Sequence, residues 1–341
     1  MRTPLPLVSV IIPTWNRRDL LGECLRGLKG QTYERFEVIV VDNGSSDGSL
    51  DEARAIWGEQ GLYLRNDRNL GYARAVNQGF EASGSDYVAT LNNDAVPEPG
   101  WLAALVEAAE ASPEVGMVAS KIVDHDDPHV IDGTGLLIYP DGSSRARGRL
   151  ERDEGQYDDV TEALLPSGAA ALYRRRMLQE IGHHDENFFA YCEDTDLGLR
   201  GRLAGWKCAF APKAVVRHRY SASTGGYSES KAFLVERNRL WVAVKNFPVG
   251  RLLLTPFYTL DRYAFQAWAA LSGRGAAGRF ARENSSGRLM VLLLRAQWAG
   301  LRGLPRALRA RRQVRVAVPP EEIARWFREF GIEARELAFK E

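Results

Sequence analysis

The sequence is poor in cysteine, nearly neutral overall, and free of long apolar runs and of the usual glycine signatures for phosphate binding. Its three cysteines, Cys24, Cys192 and Cys208, are an odd number without CxxC spacing, which excludes a disulfide framework and a structural zinc site and fits a reducing cytoplasm. No segment reaches the ~18 uninterrupted apolar residues of a spanning helix, because Thr255, Pro256 and later arginines interrupt the candidates. The N-terminal apolar run stops at Pro13 without a small-residue cleavage site, so it does not read as a signal peptide. A formal charge of +1 gives no general attraction to nucleic acid. There is no GxGxxG after the first strand and no GxxxxGK[ST] loop, so phosphates, if bound, are held in another way.

What is present is an ordinary globular composition, 45% apolar over 341 residues, long enough for one large domain with an appendage. The β-branched run Leu7–Ile12, closed by Pro13, predicts a strand buried on both faces. Leu20, Leu21, Cys24, Leu25 and Leu28 then fall on one helical stripe, with Asn16 placed to cap its start and Gly30 its end. The same alternation continues with a strand at "FEVIVV", a helix at Leu50–Trp57, a short strand near Tyr63, a helix at Tyr72–Ala82 and a strand at Tyr87–Leu91. Strands separated by helices predict an α/β, Rossmann-like fold: a mainly parallel sheet with helices on both faces.

Ligands of such sheets sit at the carboxyl ends of the strands. Three polar clusters fall there by sequence order: "PTWNR" after the first strand, "DNGSSD" after the second and "NNDA" after the fourth. One cluster alone would be a turn; three at one edge point to a polar ligand such as a nucleotide. Asp94 would repel a pyrophosphate unless a divalent cation lay between them, and hard cations take carboxylate and phosphate oxygens together.

Four blocks, "VSVIIPTWNRRDLLGECLRGLKGQTYERFEVIVVDNGSSDGS", "NLGYARAVNQGF", "YVATLNNDAVPEPGWL" and "FFAYCEDTDLGLRGRLAGWKCAFAPKAVVRHRYSAST", together resemble the family 2 glycosyltransferases of GT-A fold, in the bacterial rhamnosyltransferase-like branch. The later "ERNRLWVAVKNFP" is similar to the same branch. The resemblance implies a GT-A domain over residues 1–224, with a nucleotide-sugar half at about 7–122 and an acceptor half at about 123–224. It also implies an enzyme that transfers a sugar, best read as rhamnose, with inversion. The donor would be a dTDP, UDP or GDP sugar and the acceptor a hydroxyl of a glycan or lipid-linked glycan, in the synthesis of cell-surface polysaccharide. The rival readings are a sugar nucleotidyltransferase and a non-catalytic nucleotide- or glycan-binding protein.

Laid on matching positions, the resemblance implies nucleotide-sugar contacts from Thr14, Asn16, Asp42, Asn43, Asn69, Gly71, Asn77, Asn92 and Asp94. The family's metal motif is Asp-x-Asp; here Asn92 takes the first position and Asp94 the last, so one charge is missing. Asp94 and His218 are the implied ligands of a Mg or Mn ion, while Arg217, Arg219 and Ser221–Thr224 offer a direct grip on diphosphate instead. On a helix starting at Glu193, Asp194 lies about 120 to 180 degrees from the stripe of Leu199, Leu203 and Trp206, so it faces away from the core. The resemblance makes Asp194 the general base and assigns Glu193, Ser167 and Gly168 to the acceptor. Asp196 and Arg200 form an i,i+4 pair.

Residues 225–341 read as a helical tail. Thirteen arginines stand against Asp261 and Glu283 between Arg251 and Pro320, interleaved with leucines and aromatics. That pattern predicts amphipathic helices lying on an anionic membrane surface, here the inner face of the cell membrane, or else pairing in a homodimer.

Overall fold

The computed structural model describes residues 5–219, 228–273, 275, 278 and 286–340. Its first part alternates strictly: β1 (Val8–Thr14), α1 (Arg18–Lys29), β2 (Phe36–Asp42), α2 (Ser49–Trp57), β3 (Leu62–Arg65), α3 (Tyr72–Ala82) and β4 (Tyr87–Leu91). These strands are parallel, in the order β3-β2-β1-β4. All seven residues of β1 are buried, and they divide between two cores by the two-residue period of a strand. Val8, Val10 and Ile12 enter one core with Val38 and Val40, whereas Ile11 enters the other with Ile39 and Val41.

Helix α1 buries Leu21, Cys24, Leu25 and Leu28 as the stripe predicts. Its start differs from expectation: Arg17, at φ 70°, occupies the cap position without a side-chain bond, and Asn16 is turned toward the loop after β2, where its Oδ1 accepts the Ser46 N–H at 3.1 Å. Asp47 from that loop takes the free Arg18 N–H at 2.9 Å. Gly30 does close the helix, with its N–H on the carbonyls of Gly27 and Leu28.

The second part is mixed. After β4 come β5 (Ala95–Pro97), α4 (Trp101–Glu110), β6 (Val115–Asp124), β7 (Ile131–Gly133), β8 (Leu136–Ile138), β9 (Ser144–Ala146) and β10 (Ala170–Arg174). Then follow α5 (Arg175–Ile181), a 3-10 turn (Glu186–Phe188), α6 (Glu193–Leu203) and β11 (Lys207–His218). Strand β10 inserts antiparallel between β4 and β6, β11 returns parallel to β6, and β5 closes the edge, giving the order β3-β2-β1-β4-β10-β6-β11-β5.

Among the described residues five helices follow: α7 (Glu229–Asn246), α8 (Val249–Leu271), α9 (Ser286–Arg311), α10 (Pro320–Glu329) and α11 (Ala334–Phe339). They are fused to the sheet domain through one core in which Leu136, Leu165, Leu199 and Leu203 meet Trp241, Phe247, Trp326 and Phe330. A buried ion cluster adds to the seam. Arg262 Nε donates to Asp141 Oδ2 at 2.6 Å and its Nη2 to Glu236 at 2.9 Å, while Arg239 pairs with the same two carboxylates. Arg262, counted at first among the surface arginines of the tail, is therefore an internal strut.

Candidate active site

The site grows from the carboxyl ends of β1, β2 and β4. Thr14 and Asp42 are register partners, so they finish side by side. Asp42 is buried; its Oδ1 accepts the Ser45 N–H at 2.9 Å, while its Oδ2 has no hydrogen-bond donor and lies 3.7 Å from Arg65 Nε. A buried acceptor left unmet costs about 1 to 3 kcal/mol, which marks Asp42 as a place for a donor from outside the chain. Thr14 Oγ1 accepts from Asn93 Nδ2 at 2.8 Å, so Asn93 is a cross-link between β1 and β4 as well as a turn residue. The turn closes with the Ala95 N–H on Asn92 O at 3.1 Å. Asn92 Oδ1 is a second buried acceptor without a partner.

Directly after this turn, β5 pairs with the end of β11, placing His218 opposite Ala95. That register sets His218 Nε2 3.3 Å from Asp94 Oδ1. The other ring nitrogen, Nδ1, lies 2.7 Å from Oδ2 of Asp132, which β7 delivers and which Arg149 also pairs with. Burial works to lower the imidazole's pKa, but the bonds to Asp132 and Asp94 outweigh it and carry it up to about 10. Two neighbouring ligands of a hard cation, each at ~2.1 Å and at right angles, stand about 3 Å apart, so the Asp94–His218 spacing fits such an ion. The carboxylate behind the imidazole is the usual orienting partner of a metal-binding histidine. Among the described residues no group of three or more His, Cys, Asp or Glu side chains is gathered for a metal, so further ligands would come from diphosphate and water.

Asp194 is half-buried near the start of α6. Gly168 N–H donates to its Oδ2 at 3.0 Å, and the Thr195 N–H and hydroxyl donate to Oδ1 at 2.6 and 3.2 Å. Burial pushes the Asp194 carboxyl above the usual aspartate value, and these bonds limit the rise. The described edge is continuous. Asp42 adjoins Thr14, Asn93 binds Thr14, Asn92 N–H donates to Ala169 O at 2.9 Å, and Gly168 carries Asp194.

Several expected contacts take other roles. Asn43 Nδ2 donates to Gly71 O at 3.1 Å and its Oδ1 accepts from Asn66 at 2.9 Å; Asn69 Oδ1 accepts the Gly71 N–H at 2.9 Å. Like Asn16, these short amides shape the loops. Asn77 has no hydrogen left for a nucleotide: its amide gives both to His184 O and Glu186 Oε1 and accepts the His184 N–H, fastening α3 to the segment before α6. Gly71 adopts φ 91°, ψ 162°, against Phe189. Gly168 packs against Asp194 and Tyr72: a Cβ there would meet Tyr72 Oη at 3.3 Å and Asp194 Cβ at 3.4 Å. Ser167 is half-buried with its Oγ 3.4 Å from the Ala169 N–H.

Glu193 is 6% exposed, too buried to touch an acceptor. Burial first, and the Asp194 charge second, hold its carboxyl well above the usual range. Arg217 and Arg219 are committed to carboxylates, Glu98 at 2.9 Å and Glu23 at 3.2 Å, so neither is the free diphosphate grip expected. Ser221–Thr224 lie outside the described residues. The expected Asp196–Arg200 pair forms at 3.0 Å, joined at the same carboxylate oxygen by Lys245 Nζ at 3.0 Å. Asp132 and the α7 residues Asn238 and Lys245 escaped the sequence reading, because only the third dimension brings them to these loops.

The model of "Glycosyl transferase family 2" matches residues 9–182. N-acetylglucosaminyl-diphospho-decaprenol L-rhamnosyltransferase of Mycobacterium tuberculosis is 30% identical over 274 residues, 71% of this chain and 87% of that protein. Glycosyltransferase AglE of Haloferax volcanii is 37% identical over 256 residues, 71% of this chain and 76% of that one. Among solved structures, a mannosyltransferase from Pyrobaculum calidifontis in complex with GDP-Man and Mn2+ superposes with TM-score 0.52 at 20% identity, covering 92% of this chain and 86% of that one. GalNAc-T7 with UDP, GalNAc and Mn2+ gives TM-score 0.60 at 16% identity, covering 82% and 54%. At such identities these likenesses establish the fold, a mixed sheet of GT-A type with helices added at the C-terminus.

Proposed function

The chain belongs to glycosyl transferase family 2 and is a glycosyltransferase, and from that premise we propose that it transfers a sugar, best read as rhamnose, from a nucleoside diphosphate to a hydroxyl of a glycan or lipid-linked glycan, with inversion. The observation that carries the reading is the continuous edge from the unmet carboxylate oxygen of Asp42, past Asp94 and His218, to the half-buried Asp194. The name of the mycobacterial relative, a rhamnosyltransferase acting on a diphospho-decaprenol, supports the sugar and the lipid-linked acceptor.

In this mechanism Asp42 Oδ2 and Asn92 Oδ1 accept from the nucleoside, which removes the cost of leaving them unmet. Asp194 takes the proton from the acceptor oxygen as that oxygen attacks the anomeric carbon. Its raised pKa makes it a better base than a solvated aspartate, while the donors on Gly168 and Thr195 fix its carboxylate plane. A Mg or Mn ion, held by Asp94 and His218, would neutralise charge on the departing diphosphate.

The membrane placement rests on the C-terminal helices. Leu253, Phe257 and Leu260 of α8 are exposed at helical spacing, as are Leu294, Trp298 and Leu301 of α9. Helix α9 holds six arginines and no acidic residue, so its outer face suits an anionic leaflet and would repel a second copy of itself. Among the described residues no helix is long and apolar enough to cross a membrane. Flotation with phosphatidylglycerol vesicles but not phosphatidylcholine vesicles is the expected result; a dimer in solution that ignores both would overturn it.

Thermal shifts with dTDP, UDP and GDP sugars, with and without Mg or Mn, test the donor; no shift with any of them removes it. The anomeric configuration of the product, read by NMR, tests inversion. Asp194→Asn is expected to lose roughly 10²- to 10⁴-fold in kcat, and full activity in that variant would remove the base.

A further inference from the structure

The segment leading into Asp194 is strained. Phe189, Tyr191 and Cys192 all have positive φ, 67°, 67° and 66°, and none is a glycine, the residue that takes this region without steric cost. Such a turn persists only where its surroundings over-determine it. Two sets of contacts do so. On the donor side the Ala73 N–H donates to Phe189 O at 3.1 Å. On the other side stands Asn238 of α7, which is 0% exposed. Its Nδ2 lies 3.0, 2.9 and 2.7 Å from the carbonyl oxygens of Phe188, Ala190 and Tyr191. Arg237 Nε donates to Asn238 Oδ1 at 2.8 Å, which fixes the amide's orientation, and Arg237 Nη2 reaches Phe188 O at 2.9 Å. One amide, with two hydrogens, thus stands among three carbonyls of the turn, and Phe188 O is met as well by the Ala190 N–H at 2.8 Å and by Arg237.

We propose that Asn238 is a positioning residue: it holds the Phe188–Cys192 turn in its strained form and so sets Asp194 where it can take the acceptor proton. This rests on the reading of Asp194 as the base. Asn238 touches neither donor nor acceptor, and it lies outside the residues matched by the family model. When the clamp is lost, the turn relaxes toward ordinary φ values and α6 begins in a different place. Misplacement of a catalytic group by about 1 Å costs on the order of a hundredfold in rate.

The test compares full-length Asn238→Ala and the isosteric Asn238→Asp, which faces the three carbonyls with an acceptor, against the unaltered enzyme. The expected result is a kcat lower by about a hundredfold, with donor KM and nucleoside diphosphate affinity within about twofold. Adding Cys192→Gly to Asn238→Ala should recover about tenfold of the lost kcat, because glycine accepts positive φ freely. A purely structural role would not be rescued in this way. If the isostere does not accumulate, Asn238→Ser carries the comparison. Unchanged kcat, a parallel loss of donor binding, or no recovery with Cys192→Gly overturns the proposal. Asp194→Asn, assayed alongside, separates the two ideas. Inactive Asp194→Asn with fully active Asn238 variants removes the positioning role alone, and active Asp194→Asn removes the base and the clamp together.

Discussion

Gly71→Ala tests how tightly the donor-side helix and the base loop are locked together. Gly71 sits at φ 91°, ψ 162°, a region that is essentially reserved for glycine and costs other residues about 1 to 3 kcal/mol. A Cβ there would lie 2.6 Å from both the ring Cδ2 and the carbonyl oxygen of Phe189. The ring can swing away, but the carbonyl belongs to the strained turn that accepts the Ala73 N–H and is held from behind by Asn238. Relieving that clash adds about 1 to 3 kcal/mol more, for a total of about 4 kcal/mol. Melting entropy scales to about 0.7 kcal/mol/K for a chain of this length, so Tm should fall by about 6 °C. The kcat should fall as well, because the turn that must yield is the one leading into Asp194. Gly84→Ala is the control: nothing stands within 4 Å of a Cβ at that position. Scanning calorimetry and initial rates read both effects. A Gly71→Ala enzyme melting within about 1 °C of Gly84→Ala at full rate would refute the reasoning.

Asp132→Asn removes the carboxylate behind His218 and should weaken Mn binding about 10- to 100-fold in a direct titration by paramagnetic resonance, whether or not the variant turns over. Lys245→Met strips one cation from Asp196, which is 0% exposed, and should destabilise by about 3 kcal/mol in urea unfolding. The same carboxyl sets an acid-stability window. Burial would raise its pKa, but Lys245 and Arg200 outweigh it and hold it at about 2, below the unfolded aspartate value. Its stabilisation, roughly 2 kcal/mol, is therefore present above about pH 4 and lost as pH falls toward 2, and Asp196→Asn should flatten that part of the stability curve. For Asp194 the shift runs the other way, so the acid limb of kcat/KM should lie above the ordinary aspartate value and vanish in Asp194→Asn.

The parallel half of the sheet was legible because each strand and helix there obeys its own period and ends at a glycine, proline or asparagine turn; β1, α3 and β4 need no help from distant residues. The site was legible where chemistry coincides with a strand end, as at Asp42, Asn92 and Asp94. It was less so at the asparagines. An amide that could serve a nucleotide can equally serve backbone: Asn43 and Asn69 bond the Gly71 backbone, and Asn77, within α3, bonds the distant His184 backbone. Glu193 was misread for a related reason. Two adjacent acidic residues at a helix start look equivalent in sequence, yet the helix buries Glu193 and leaves Asp194 half-buried.

The missing carboxylate at Asn92 acquires a different weight once Asp132 is in view. A site with Asp94 as its sole charged ligand would bind a divalent ion weakly, since each carboxylate supplies both an oxygen and a charge. Once it gives up its proton to an incoming ion, His218 would supply a donor without charge, and a histidine backed by a carboxylate is a more basic ligand than one facing water. Asp132 is in turn shared with Arg149; burial would raise its pKa, but His218 first and Arg149 second hold the carboxyl below the usual aspartate value. A carboxylate thus stands one shell out, behind the imidazole, its charge shared between His218 and Arg149, on a strand that has no part in the family's motif. If this compensation is what lets Asn92 stand, Asn92→Asp should rescue Mn affinity in an Asp132→Asn background by more than it improves the unaltered protein. Equal gains in both backgrounds would mean that the two positions act independently.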